Sequence, residues 1–423
     1  MTTVGAGPRR VRAGAGRYPS DVTDPSAAGP RRRHDGPVGR PSGGPPPTTV
    51  DVVRAHGTAR SVRATERRGE VSIMESVTTE VRREVAVEVV TTASLAPSIH
   101  NTQPWRWRLA DGLLTLRPDV ERRLAVLDPE GRQLLVSCGA ALLHARLAFR
   151  VLGLEPVVEL LPETTGCGAL QPVLSDELVL ASMGVAGRVP PTAADRLLFS
   201  AAGARHTDRR PFDGHPLDPA LVDQMRRAAE AEGAWLMPLA HSDQRLDAAV
   251  VAARADWAEQ TDPAYRAELA AWRRGQGPTA DGVPTGVAST HHPSRASDFP
   301  LRDFDPAGVP GAPPSPPGGR GADPEAVERP AVFVIGTDAD QAEDRLRAGQ
   351  ALARVLLTVT AAGAAASPMG QPVDSDGYRS VIERMLSIAG HVQMILRVGY
   401  PRRDAAASAL TPRRPVGEIL TVE

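Results

Sequence analysis

The feature of this 423-residue chain that most restricts its fold is a repeat. "CGAALLHARLAFRVLG", Cys138 to Gly153, aligns without a gap with "AGQALARVLLTVTAAG", Ala348 to Gly363. Two glycines fourteen residues apart coincide, as do an Ala and two Leu. Each segment reads as an apolar helix closed by a glycine cap, where the chain must turn left-handed. A polar segment precedes each, and a strand-like run follows ("EPVVELLP", "QMILRVG"). Two unrelated Ala/Leu helices are the plain alternative. Duplication accounts better for the matched surroundings and predicts two similar halves.

Composition agrees with a large folded core. The chain is 41% hydrophobic with 49 basic and 50 acidic residues, every basic one of them Arg. No stretch approaches the roughly 20 apolar residues of a membrane span, and the N-terminus carries no apolar segment of about 7 to 15 residues like that of an export signal. A cytoplasmic location with no membrane partner is the expectation. Residues 1–70 hold 13 Arg against 6 acids, which leaves 36 against 44 in the rest, so the head is +7 and the body −8. The head is rich in Pro and Gly and lacks apolar periodicity, so residues 1–72 are expected to be disordered. A nucleic-acid arm would need aromatic residues for stacking beyond Tyr18, and nucleic acid is not the expected partner. Cys138 and Cys167 have no metal or redox spacing and read as reduced thiols.

Order is expected after residue 73. Val77, Val81, Val85, Val89 and Val90 recur near helical spacing, and Pro97 stops that helix. "QPWRWRLADGLLTLRP" reads as a hairpin turning at Asp111-Gly112, with Trp105, Trp107 and Leu109 alternating on one strand and Leu114 and Leu116 on the other. Between helix and strand lies "PSIHNTQPWRW", where Ser98, Asn101 and Gln103 offer short donors and acceptors beside Pro97 and Trp105. Such a cluster suits the polar edge of a planar ligand. It equally suits the backbone of its own turn.

"APSIHNTQPWRW" resembles the helix-to-strand corner of the FMN-dependent nitroreductase superfamily, A-P-S-x-x-N-x-Q-P-W-x-F, with Trp107 in place of the Phe. The resemblance implies that Pro97, Ser98 and Asn101, with Gln103 beside them, meet a flavin bound across an interface. The phosphate would be held by the opposite half. "RHTDRRPF", Arg205 to Phe212, resembles the family's Arg motif, and Arg205, Thr207 and Arg209 offer two guanidinium forks and a hydroxyl to a phosphate or a pyrimidine edge. "TAAGAAASPMGQPVD" is similar to the loop whose backbone N–H reaches flavin N5, which maps to Met369 and Gly370. The end of the chain resembles the family's terminal basic pair, mapping a second phosphate clamp to Arg413 and Arg414 with a register open by one residue. No side chain is expected to act as acid or base, and no metal is expected.

Taken with the repeat, the resemblance implies an α+β chain in which a nitroreductase-like fold is duplicated. Each half would be a small, mainly antiparallel sheet flanked by helices: 73–198 and 199–423. The second half lacks a P-S-x-x-N corner and the first lacks a terminal basic pair, so one composite site is expected and its symmetry mate should be empty. This arrangement resembles the actinobacterial Acg-type branch, with NADH or NADPH as hydride donor and a lid over the flavin. Residues 275–329 contain 20 Gly or Pro in 55 and are the candidate lid and connector, with the lid itself at Asp281 to Phe304. His291 and His292, within it, have no other ligand at metal-binding spacing. Two functions stay open: an NAD(P)H-dependent flavin oxidoreductase acting on a nitroaromatic, quinone or similar acceptor, or a protein that sequesters flavin under a lid. The chain would be a monomeric pseudo-dimer or a homo-oligomer of such units.

Overall fold

The computed structural model describes residues 80–162, 174–210, 212–274, 279–284, 297, 299–300, 328–401 and 411–423. All lie in the second of the chain's two units, Val71–Glu423. The Arg-rich head, Cys167, His291, His292 and most of the candidate lid fall outside the described residues. In chain order the elements are α1 (Arg83–Ala93), β1 (Trp105–Ala110), β2 (Leu113–Pro118), α2 (Arg132–Val151), β3 (Leu154–Leu160), β4 (Ala181–Arg188), α3 (Ala193–Ala204) and α4 (Pro219–Glu230). There follow β5 (Trp235–Pro238), α5 (Ser242–Thr261), α6 (Pro263–Trp272), β6 (Arg273–Arg274), β7 (Val283–Pro284), β8 (Ala331–Thr337) and α7 (Ala342–Ala361). The chain closes with β9 (Ala365–Met369), α8 (Gln371–Asp374), α9 (Asp376–Met385), β10 (His391–Gly399), α10 (Val416–Ile419) and β11 (Leu420–Val422).

The fold is α+β with two principal sheets. The first has the order β11-β1-β2-β4-β3 and the second β5-β8-β10-β9. The expected hairpin forms: Ala110 pairs with Leu113, and Asp111 and Gly112 both take positive φ, 50° and 71°, as a two-residue primed turn demands. Its alternation buries Trp105, Trp107 and Leu109 on one face. Burial of side chains this size contributes roughly 1.5–3 kcal/mol each. In α1, Ala86, Val89, Val90 and Ala93 recur at helical spacing and face the core.

The two sheets are built alike. Strands β1, β2, β4 and β3 stand in the same lateral order as β5, β8, β10 and β9, and every pairing within both sets is antiparallel. Where the first sheet joins its first two strands by two residues, the second interposes α5, α6 and the 275–329 region between β5 and β8. The repeated segments are α2 and α7, each 20 residues and each ended by a glycine in the left-handed region, Gly153 at φ 75° and Gly363 at φ 74°. One sequence expectation changes. "QMILRVG" is not the strand that follows α7 directly, because β9 comes first and β10 takes the sheet position held by β4. Pairing by the strongest apolar run skipped "AASPM", a five-residue strand too small and polar to stand out. Alone among the described helices, α2 is long and apolar enough to cross a membrane, and 83% of its apolar window is buried inside the protein.

Candidate functional site

The corner between α1 and β1 is an irregular bend. His100, Asn101 and Gln103 take positive φ of 44°, 54° and 49°. Asn and His enter that region more readily than most residues, whereas Gln does not, so the bend at Gln103 is held by its surroundings. Ser98 Oγ accepts from the Gln103 N–H at 2.9 Å, and Ser137 Oγ on α2 accepts from the Ile99 N–H at 3.2 Å. Asn101 Nδ2 donates to the carbonyls of Gly282 and Pro412, both at 3.1 Å. Gln103 Nε2 donates to Ala280 O at 2.8 Å, and its Oε1 accepts the Arg414 N–H at 2.8 Å. Asn101 and Gln103 therefore tie three distant stretches of chain together.

The Arg segment leaves α3 at Arg205. Thr207 forms a parallel bridge with Ala366 on β9, which lays the segment along the second sheet. Asp208 takes Arg210, at 2.6 Å, and the next cationic group, Arg397, is spent on Glu328, also at 2.6 Å. Arg205 is different. It is buried, 6% exposed, and its Nε and Nη1 have no hydrogen-bond partner. Burial, then the nearby charge of Arg413, then that of Arg209, push its pKa down to about 9. Burial alone pushes Arg413 down to about 10, and its Nε also lacks a partner. Three guanidinium groups thus converge without a carboxylate among the charges that shift Arg205. Buried donors of this kind are rare and costly unless an anion meets them.

Beside this cluster runs a partly open cleft of about 100 Å³. Pro97, Ser98 and His100 form one wall, Thr207 and Arg209 another, and Pro368 and Gly370 a third. Gln133 and Ser137, from the first turns of α2, complete it. Gln133 Nε2 donates to Asp374 Oδ1 at 2.7 Å. A Cβ on Gly370 would lie 2.7 and 2.9 Å from the two Asp374 oxygens, so glycine lets the chain pass close to that carboxylate.

Of the residues singled out by sequence, Pro97, Ser98, Thr207, Arg209 and Gly370 line this one cleft, although they come from segments separated by up to 273 positions (97 to 370). Arg205 and Arg413 stand together beside it. Met369 is buried in the core with its neighbour strand at Ile395. Asn101 and Gln103 have their side-chain donors and acceptors met by protein groups: Asn101 Oδ1 accepts from Arg413 Nη1 at 3.3 Å. Arg414 pairs with buried Asp119 at 3.1 Å and faces Gln103. Within the basic pair, therefore, only Arg413 joins the cluster. Sequence reasoning passed over His100, Gln133 and Ser137. The last two were visible as polar residues at i and i+4 in the mainly apolar first half of α2.

Residues 202–400 match the sequence model of the nitroreductase family. A protein of Mycobacterium tuberculosis strain H37Rv, named "Putative NAD(P)H nitroreductase", is 35% identical over 335 residues, covering 78% of this chain and 90% of that one. A second protein of the same strain, bearing the same name with the designation acg, is 29% identical over 348 residues, covering 81% and 97%. Among solved structures, a nitroreductase with bound FMN from Bacteroides fragilis is 14% identical, covers 53% of this chain and 98% of that one, and has a TM-score of 0.32. The FMN-dependent nitroreductase of Mycobacterium smegmatis in complex with NADPH is 16% identical, covers 53% and 96%, and has a TM-score of 0.32.

Proposed function

The chain belongs to the nitroreductase family, and from that premise we propose that it is an FMN-binding oxidoreductase carrying hydride from NADH or NADPH to a nitroaromatic, quinone or similar acceptor. The observation that carries the reading is Arg205. Its two unpartnered, buried donors beside Arg413 and Arg209 suit a phosphate dianion, which can accept from several guanidinium groups at once. Bound FMN would supply the redox chemistry, taking up hydride and returning it. The residues of this chain do the rest. Arg205, Arg209 and Arg413 would hold the phosphate, with Arg413 bonded to Asn101 Oδ1. Pro97, Ser98 and His100 line the cleft on one side and Gly370 on another, so these residues, with the backbone at Met369 and Gly370, would hold the flavin ring.

The same reading makes the chain a fused pair of nitroreductase-like halves that needs no second copy to complete its site. The matched strand orders and the like-ended helices α2 and α7 support it. So does the corner of the second half, where only 231–234 separate α4 from β5 against 94–104 between α1 and β1. A flavin-sequestering role has its own support. The root of the 275–329 region is fastened to the corner, with Gly282 bonded both ways to Asn101 and with Asp281 paired to Arg122 and Arg274. One experiment separates the readings. The protein is purified with FMN, freed of excess ligand, and its visible spectrum recorded anaerobically before and after NADPH. Bleaching within seconds fits the reductase, retained colour that only dithionite bleaches fits sequestration, and a colourless protein sinks both.

A further inference from the structure

A phosphate clamp and a cover for the ring leave one polar side chain of the cleft without a role. Gln133 stands in the first turn of α2, where the backbone is fixed. Asp128 accepts the N–H groups of Gln133 and Leu134 at 3.0 and 2.9 Å, and Ser137 Oγ donates to Gln133 O at 2.7 Å. The side chain lines the cleft and the residue is only 3% exposed. An amide so buried needs partners for both its ends.

Only one end has a partner within the protein. Gln133 Nε2 donates to Asp374 Oδ1 at 2.7 Å. A carboxylate accepts and does not donate, so it fixes which end of the amide faces it and leaves Oε1 on the other side. Among the described residues no group donates to that Oε1, and it is not one of the unpartnered atoms sealed from solvent, so it opens on the cleft. The neighbouring hydroxyls are engaged, Ser98 Oγ with the Gln103 N–H and Ser137 Oγ with the Ile99 N–H. A held acceptor in a narrow cleft calls for a donor on the ligand. A phosphate dianion carries none, so the donor belongs to the ring. The imide N3–H of a flavin is present in both oxidation states. An N–H at N5 exists only in the reduced ring, and its absence would set Oε1 against a lone pair when the ring is oxidised.

We propose that Gln133 is the specificity-determining residue for the ring, its Oε1 accepting the imide N3–H of the flavin. The assignment rests on the flavin reading above and adds to it a residue that selects the ring rather than the phosphate. FMN and N3-methyl-FMN, which lacks that N–H, are titrated by flavin fluorescence into the full chain and its variants. A site built to bond an N–H rejects the analogue without it, so methylation should weaken binding to the parent roughly tenfold or more. In Gln133→Met and in the smaller Gln133→Ala the two flavins should bind within about twofold of each other, and FMN itself roughly fivefold more weakly than in the parent. Arg209→Ala, at the phosphate end, should weaken both flavins alike and keep the gap between them. Equal binding of the two flavins by the parent, or a gap that persists unchanged in both Gln133 variants, would overturn the assignment while leaving FMN binding in place. A parent that binds neither flavin would overturn the flavin reading itself.

Discussion

Gly139 and Gly349 touch where α2 crosses α7: a Cβ on Gly139 would lie 3.1 Å from the Gly349 Cα and overlap the Leu346 carbonyl. The relation is reciprocal, because a Cβ on Gly349 would overlap the carbonyl of Val136. Both partner pairs are 210 positions apart (139 to 349, 136 to 346), as the aligned repeats are. Each helix thus presents the same spot to the other, the geometry of a twofold contact written within one chain.

Gly139→Ala or Gly349→Ala must push the helices apart, since the obstruction is backbone. Overpacking of this kind costs roughly 1–3 kcal/mol or more. Gly203→Ala, on α3 with nothing within 4 Å of its new methyl, should be neutral or stabilising. Urea unfolding of the three variants provides the test; equal midpoints would contradict the close crossing.

Arg205→Ala and Arg209→Ala should weaken FMN binding, each by about 1.5–3 kcal/mol, with little change in melting temperature. Arg414→Ala should do the reverse. It takes from buried Asp119 one of its two arginine partners, Arg106 being the other, and losing such a charge-assisted contact costs roughly 1.5–3 kcal/mol of stability. Flavin fluorescence titration alongside thermal melts distinguishes the two behaviours. Undiminished FMN affinity in Arg205→Ala would remove the cluster from the phosphate site.

Asn101→Ala removes the acceptor that orients Arg413 and the two donors that hold Gly282 and Pro412. FMN affinity should fall less than in Arg205→Ala, since a neutral hydrogen bond contributes about 1 kcal/mol. Proteolysis near 279–284 should quicken as that root loosens. Met225→Ala, on the buried face of α4, should instead cost roughly 2–5 kcal/mol of stability and spare flavin affinity in the folded fraction.

Burial and the nearby Asp374 carboxylate raise Asp128 from 3.8 to about 7. The native state then holds a proton that the unfolded chain releases, so this stabilisation is present below 3.8 and lost as pH rises through about 7. Over the full interval it amounts to about 4 kcal/mol. Asp128→Asn, which keeps one of the two acceptors for the Gln133 and Leu134 N–H groups, should flatten the decline between about pH 4 and 7 relative to the parent. Parallel stability curves for the two proteins would refute it.

The sequence alone determined much of this protein, because its signals are local or internally repeated. Helix α2 and its counterpart α7 are legible as apolar periods closed by glycine, the hairpin as alternation around Asp111-Gly112, and the site as short runs of unusual residues. Which partners those runs meet was decided only by tertiary structure. Arg413 and Arg414 are chemically identical neighbours, yet backbone direction sends one toward Arg205 and the other to Asp119. Asn101 and Gln103 look as available as Ser98 until the chain brings 280–284 and 412–414 against them. The cost of leaving buried polar groups unpaired decides such cases, and it depends on partners up to 318 positions away that no local pattern records.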